Sequence, residues 1–383
     1  MTSTKISTSL VQTLAVQSQV NLPGTAGRLL KQIRDLENLA PRFLEAGLVL
    51  TVDRPSSLDT RLSGISTWST TEKLAGGFLF VSAALRMDLR FERNALATEG
   101  TDSTSAIDDI DFQDQSKRLQ LIEMRQAYEM ADRAMRQETR PRILSLEGPL
   151  VVNRSMVPLG KSSQHAGEYE KAIEAIRNFW QQHKENLFPW NPEGTIVVGI
   201  ATDRVGAIAA IPRQDLRTPE GQKQLLRCDL PNNASLRDLN EQLSSIAGIG
   251  EKRFVRGILG SNSRTAAFKM NVQTPRMEPA DLIEKEAIIG FHYRSNVRAD
   301  PLLVQLLGND ETWTKAQLNE LAGVLIAATV QQKGSAVPVP FQLADHQLRA
   351  LKPFLKQYCF AMRQELKNRD IEDSWLSDLD IEN

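Results

Sequence analysis

Hydrophobic positions along this chain follow two periods. Leu29, Leu30, Ile33, Leu36 and Leu39 recur at helical spacing and predict a helix within residues 8–47, punctuated near its front by Pro23 and Gly24. Residues 48–52 and 76–85 are apolar runs that read as strands, with a polar turn at 53–62. Residues 98–116 are acidic and rich in Ser and Thr, and read as a surface loop. Leu119, Ile122, Ala127, Met130, Ala131 and Ala134 predict a helix over 116–138, which leads into a short apolar strand at 142–146. A further helix is expected over 167–184, and a strand at 195–202 after the turn Asn191-Pro192-Glu193-Gly194. Strands at 265–272 and 287–294 and helices at 314–332 and 342–368 complete the pattern. Strands and helices interleave without an internal repeat or a Pro/Ser-rich linker, so the expectation is one α/β domain with helical additions. Its parts would be a helical segment over 1–47, a body over 48–368 and an acidic tail over 369–383.

Composition narrows the classes. The chain has 383 residues, 41% hydrophobic and 24% charged, as in ordinary globular proteins. Its 46 Lys and Arg against 47 Asp and Glu leave a net charge of −1, so any nucleic acid must meet a local basic surface. Cys228 and Cys359 are far apart and in no metal-like spacing, which points to a reducing compartment. No stretch approaches membrane-span length and the first residues lack a signal-peptide core, so a cytoplasmic location is expected.

The candidate chemistry lies in four separated segments. Asp53 ends the first apolar run, Glu129 sits on the 116–138 helix, Glu147 ends the strand before Gly148-Pro149, and His346 follows Ala344-Asp345. Carboxylates at strand ends, joined by a helical carboxylate and a late His, can form a hard-cation site suited to phosphodiester hydrolysis. Each has a plainer reading. Asp53 could cap a turn before Pro55, Glu147 could be a turn acid, and His346 could open a helix. Glu129 could pair with Arg125 or Arg133 on a solvated face.

The order of these segments resembles the NurA nucleases. The likeness runs from about residue 45 to 350: Val52-Asp53, Arg125-Gln126-Ala127-Tyr128-Glu129, Glu147-Gly148-Pro149-Leu150, and the Val198-Gly199-Ile200 strand. It continues through Arg264-Thr265, Gly290-Phe291-His292-Tyr293-Arg294, Arg298-Ala299-Asp300-Pro301 and Pro338-Val339-Pro340-Phe341-Gln342-Leu343-Ala344-Asp345-His346. The resemblance implies an RNase H-like α/β core, a homodimer and a manganese-dependent DNA nuclease. It also implies a HerA-type hexameric DNA-translocating ATPase as partner, in DNA end processing or anti-phage defence. Carried over, Asp53, Glu129, Glu147 and His346 would hold Mn²⁺ or Mg²⁺, two ions in all. Glu123 competes with Glu129 for the helical place, since six residues turn a helix by roughly 240° and both cannot face one site. The chain departs from the family in Asp53-Arg54-Pro55 where the family reads Asp-Gly-Ser, and in Glu147-Gly148 for Asp-Gly. Arg204 is the cation available where a Lys often follows the Val-Gly-Ile strand. These departures keep open a degenerate DNA-binding scaffold.

Three further features carry weaker signals. Residues 243–253 resemble the hairpin of a helix-hairpin-helix module, or are a plain glycine turn. Arg133, Arg136, Arg140 and Arg142 could line a DNA channel or decorate a helix. The tail, with Trp375 and Leu379, is either a frayed terminus or a docking segment. No Walker-type phosphate loop occurs, so ATP-driven motion would come from a partner.

Overall fold

A computed structural model describes residues 3–74, 77–93, 95–160, 163–201, 222–232, 235, 239, 249–270, 288–332 and 335–369. Arg204, residues 243–248 and the acidic tail with Trp375 and Leu379 lie outside them.

One end of the sheet is a meander of three long antiparallel strands. β2 (Thr60–Leu74) turns into β3 (Gly77–Glu92), which turns into β4 (Ala95–Ile110). β3 is buried along most of its length because it pairs on both sides and is covered on both faces. α2 (Gln115–Met135) then crosses one face and delivers β5 (Ile143–Glu147) parallel to β2. α3 (Gln164–His183) returns the chain to β6 (Ile196–Ala201), parallel to β5. The order β4-β3-β2-β5-β6, with its two parallel crossovers, is an RNase H-like core.

The sheet extends beyond that core. β10 (Leu302–Leu307) pairs antiparallel with β6, β9 (Ile288–Arg294) with β10, β7 (Ser263–Thr265) with β9, and β1 (Val49–Thr51) with β7. β8 (Phe268–Lys269) joins β9, giving ten strands among the described residues. A separate hairpin joins β11 (Thr329–Gln332) to β12 (Ser335–Pro338).

Helices cover both faces. Ile65, Leu144 and Leu146 pack with Tyr128, Phe179 and Trp180 of α2 and α3. Leu62, Ile143, Val198 and Phe291 pack on the other face with Leu318, Leu321 and Leu325 of α5 (Lys315–Ala327). α6 (Val339–Leu348) and α7 (Leu351–Asn368) lie across β2 and β3, with Leu348 against Met87 and Leu355 against Leu79 and Val81. α1 (Ser3–Glu45) anchors through Leu36, Leu39 and Phe43, whose ring meets Phe254 of α4 (Glu251–Ile258) edge-on at 5.6 Å. Residues 10–31 of α1 are exposed.

Three sequence expectations are corrected. Residues 98–110 belong to β4 rather than a loop. An edge strand pairs on one side and needs little apolar surface, so its Ser, Thr and acids hide it from a pattern search. The helix expected over 314–332 ends at Ala327, where the chain turns into β11. The helix expected over 342–368 is two helices, broken between Leu348 and Leu351.

Candidate functional site: carboxylates at the end of β5

β5 climbs as a buried apolar run, Ile143 to Leu146, and places Glu147 at its open end. The chain then leaves abruptly. Gly148 has φ +134°, a conformation L side chains rarely adopt, and its N–H donates to Ile200 O at 2.8 Å. The exit is fixed further on, where Leu150 N donates to Gln305 Oε1 at 2.9 Å and Tyr128 Oη donates to Leu150 O at 2.6 Å. Glu147 therefore occupies a rigid ledge.

Three elements deliver groups to it. The register Ile65↔Leu146 places Ser66 of β2 beside Glu147. Ser66 is fully buried, and its hydroxyl has no hydrogen-bond partner of good geometry, although it lies close enough to stabilise the charged carboxylate. Glu123 of α2, half-buried, accepts from Ser69 Oγ at 2.5 Å. Asp345 of α6 is ion-paired with Arg349 at 2.7 Å.

These acids feel one another. Desolvation is the main force raising the pKa of Glu147; the Ser66 hydroxyl opposes it, and repulsion from Asp345 and Glu123 adds to it. Glu123 is also raised, by desolvation, against the hydrogen bond from Ser69. Glu147 is nevertheless solvent-exposed. A carboxylate standing on the ledge at the end of β5 satisfies both facts: solvent touches it, while protein replaces much of the bulk water around it.

The sequence-derived set divides. Glu147 is in this cluster. Asp53 is not: it follows β1 and shares a cavity with Ile143, at the opposite end of β5 from Glu147. It lines a separate cavity of about 510 Å³ with Arg54, Asp59, Trp313 and Glu320. Glu129 also points elsewhere, with its carboxylate 3.7 Å from Arg125 in a groove shared with Lys171 and Glu174 of α3. Glu123, the alternative on the same helix, is the acid beside Glu147. His346 is exposed on α6, next to Asp345.

Ser66, Ser69 and Asp345 were missed. Ser66 and Ser69 sit in a Ser/Thr-rich strand without an apolar run, and Asp345 was passed over for its neighbour. The register of β2 against β5 was the missing signal. The arginines at and beyond the end of α2 do not gather here. Arg133 approaches Asp102, Arg136 pairs with Asp132, Arg140 donates to Asn186, and Arg142 donates to the Gly194 carbonyl.

The metal question has a mixed answer. Carboxylates and a hydroxyl are the oxygen donors a hard divalent cation prefers, and mutually repelling acids are the environment such an ion would relieve. Among the described residues, no group of three or more His, Cys, Asp or Glu side chains is close enough to hold a metal ion as placed.

The core order β4-β3-β2-β5-β6 places this chain among RNase H-like folds. Within that class, the chain superposes on NurA structures. The NurA nuclease from Sulfolobus solfataricus matches with TM-score 0.57 at 12% identity, covering 94% of this chain and 98% of that one. A second NurA structure matches with TM-score 0.52 at 9% identity, covering 91% and 98%. At such identities the likeness is one of fold. No protein-family model matches the chain, and no curated protein matches it by sequence.

Proposed function

We propose that this chain is a metal-dependent deoxyribonuclease subunit of NurA type, with its reaction centre at Glu147, Glu123 and Asp345. The observation that carries this reading is Glu147 at the end of β5 beside the Ser66 hydroxyl, with Glu123 of α2 and Asp345 of α6 near enough to repel it. Like charges held together in a desolvated groove cost free energy, and an arrangement that incurs that cost is a functional-site candidate. Glu147 and Glu123 would hold Mn²⁺ or Mg²⁺, with Ser66 and Asp345 completing the oxygen set after small side-chain rotations. The bound ion would supply a nucleophilic water at neutral pH and neutralise phosphate charge.

The protein's own groups do the rest. The raised pKa values of Glu147 and Glu123 bring a carboxyl nearer the range in which it exchanges protons with an attacking water or a departing oxygen. His346, exposed beside Asp345, would meet a phosphate oxygen of the strand. The substrate would be DNA, delivered by a HerA-type hexameric ATPase to a homodimer of this chain, in DNA end processing or anti-phage defence.

One observation favours a second reading. The β2 position beside Glu147 carries a hydroxyl, Ser66, where a further strand-borne carboxylate would strengthen cation binding. On that reading the chain is a catalytically degenerate DNA-binding scaffold on the ATPase.

Digestion of end-labelled single- and double-stranded DNA separates the two. The arms are Mn²⁺, Mg²⁺ or EDTA, wild type against Glu147→Gln, Glu123→Gln and Asp53→Ala, with and without the ATPase. Metal-dependent cleavage lost in the two glutamine variants and kept in Asp53→Ala supports the nuclease. No cleavage in any arm, with DNA or motor binding intact, supports the scaffold.

A further inference from the structure

α7 carries a one-sided charge. Its sequence holds Lys352, Lys356, Arg363 and Lys367 against one acid, Glu365. At about 100° per residue the four basic residues fall within a stripe of about 60°, roughly 22 Å long from Lys352 to Lys367. Glu365 lies on the far side of the helix from that stripe and pairs with Arg369 at 2.9 Å. Leu355, which packs against Leu79 and Val81, leaves the stripe on the flank of the docked helix. Lys352 and Lys356 are exposed, and among the described residues neither meets an acid. In a chain of net charge −1 this is a deliberate concentration of positive charge.

An aromatic ring borders the stripe. Phe360 lies about 20° beyond its edge by the same helical arithmetic and is 63% exposed. Isolated exposed rings are common, but lysines flanked by an exposed ring offer both halves of a single-strand site: charge for the phosphates and an apolar plane for an unpaired base. α7 begins just after α6, which brings Asp345 to the carboxylate cluster, so the stripe starts close to the proposed reaction centre.

We propose that α7 is a single-stranded DNA track, with Lys352 and Lys356 on the phosphodiester backbone and Phe360 stacked on a base. This rests on DNA being the substrate and extends the site beyond its carboxylates. The test is binding, measured in EDTA so that cleavage plays no part. Fluorescence anisotropy of the full chain with a labelled single-stranded oligonucleotide is followed across a salt series. Lys352→Gln with Lys356→Gln should reduce the slope of log K against log salt by about 1.4, at ~0.7 per single-strand phosphate contact. Phe360→Ala should weaken single-strand binding by about 5- to 150-fold, the ~1–3 kcal/mol of one stacked base, leaving the slope and duplex affinity unchanged.

An unchanged slope in the lysine variant overturns the proposal. So does equal loss for duplex and single strand, or a Phe360→Ala variant that binds DNA normally and loses a protein partner instead. Failure here is separable from failure of the nuclease reading. Lysine-dependent binding with no cleavage under any metal removes the nuclease and keeps the track, whereas cleavage lost in Glu147→Gln with lysine-independent binding does the reverse.

Discussion

Replacing Gly64 with Ala tests whether the seat of α6 on β2 sets the reaction centre. A Cβ built on Gly64 falls 2.5 Å from both Cβ and Cγ of Pro340 and 3.2 Å from a Phe341 ring carbon. Carbon pairs rest at about 3.5–4.0 Å, so α6 must retreat by about 1 Å or more, because a proline ring has no other rotamer to adopt. Overpacking of this kind costs about 1–3 kcal/mol. For 383 residues at ~2.1 cal/mol/K per residue, the melting entropy is about 0.8 kcal/mol/K, so the melting temperature should fall by about 1–4 °C. Asp345 and His346 ride on the moving helix. A displacement of ~1 Å at a reaction centre costs on the order of a hundredfold in rate. Scanning calorimetry in EDTA reads the first effect, and cleavage of a labelled oligonucleotide reads the second. A variant with wild-type melting and wild-type cleavage would refute the idea that Gly64 seats α6. Wild-type cleavage with the expected loss of stability would remove α6 from the chemistry.

Four other outcomes follow from the same geometry. Burial and repulsion raise the pKa of Glu147, so its contribution to stability is fully present below its unfolded value and is lost as pH rises through the folded one. Metal-free Glu147→Gln should therefore melt higher than wild type at neutral pH and converge with it in acid, as a melting series across pH would read. Added Mn²⁺ should raise the melting temperature of wild type and not of the Glu123→Gln, Glu147→Gln double variant, since ligand binding to the native state stabilises by mass action. Asp229→Ala should cost about 3–5 kcal/mol, measured by denaturant titration, because it strands the fully buried Arg264, now held at 2.5 and 3.1 Å. Glu129→Ala should leave cleavage unchanged in a rate assay, since its carboxylate sits by Arg125 in another groove.

How much of this could be read from the chain differs by element. The runs around Leu144 and Val198 announced β5 and β6, because strands buried on both faces spend nearly every position on apolar residues. The α2 pattern was equally legible from Leu121 to Ala134. β2 was not, since Ser63, Ser66, Thr67 and Ser69 interrupt its apolar positions exactly where it nears the acids. Asp53 is a different case. An acid after an apolar run looks the same whichever strand neighbours it, and local pattern does not encode strand order. The choice between Glu123 and Glu129 needed the rotation of α2 about its axis, which follows from which face meets β2. The resemblance to NurA nucleases anticipated the core topology, and its first motif, Val52-Asp53, falls just after β1, away from the strand that flanks Glu147.

The long outer strand β4 has a consequence for how the molecule behaves in crowded solution. Beyond its pairing with β3 it runs along the margin of the sheet, and an open margin of sixteen residues is a template on which another strand could grow. Asp108 and Asp109 stand exposed on that margin, so two copies meeting side by side there bring acid against acid. The strand that sequence patterning mistakes for a loop thus ends the sheet in a charged margin that disfavours edge-to-edge growth.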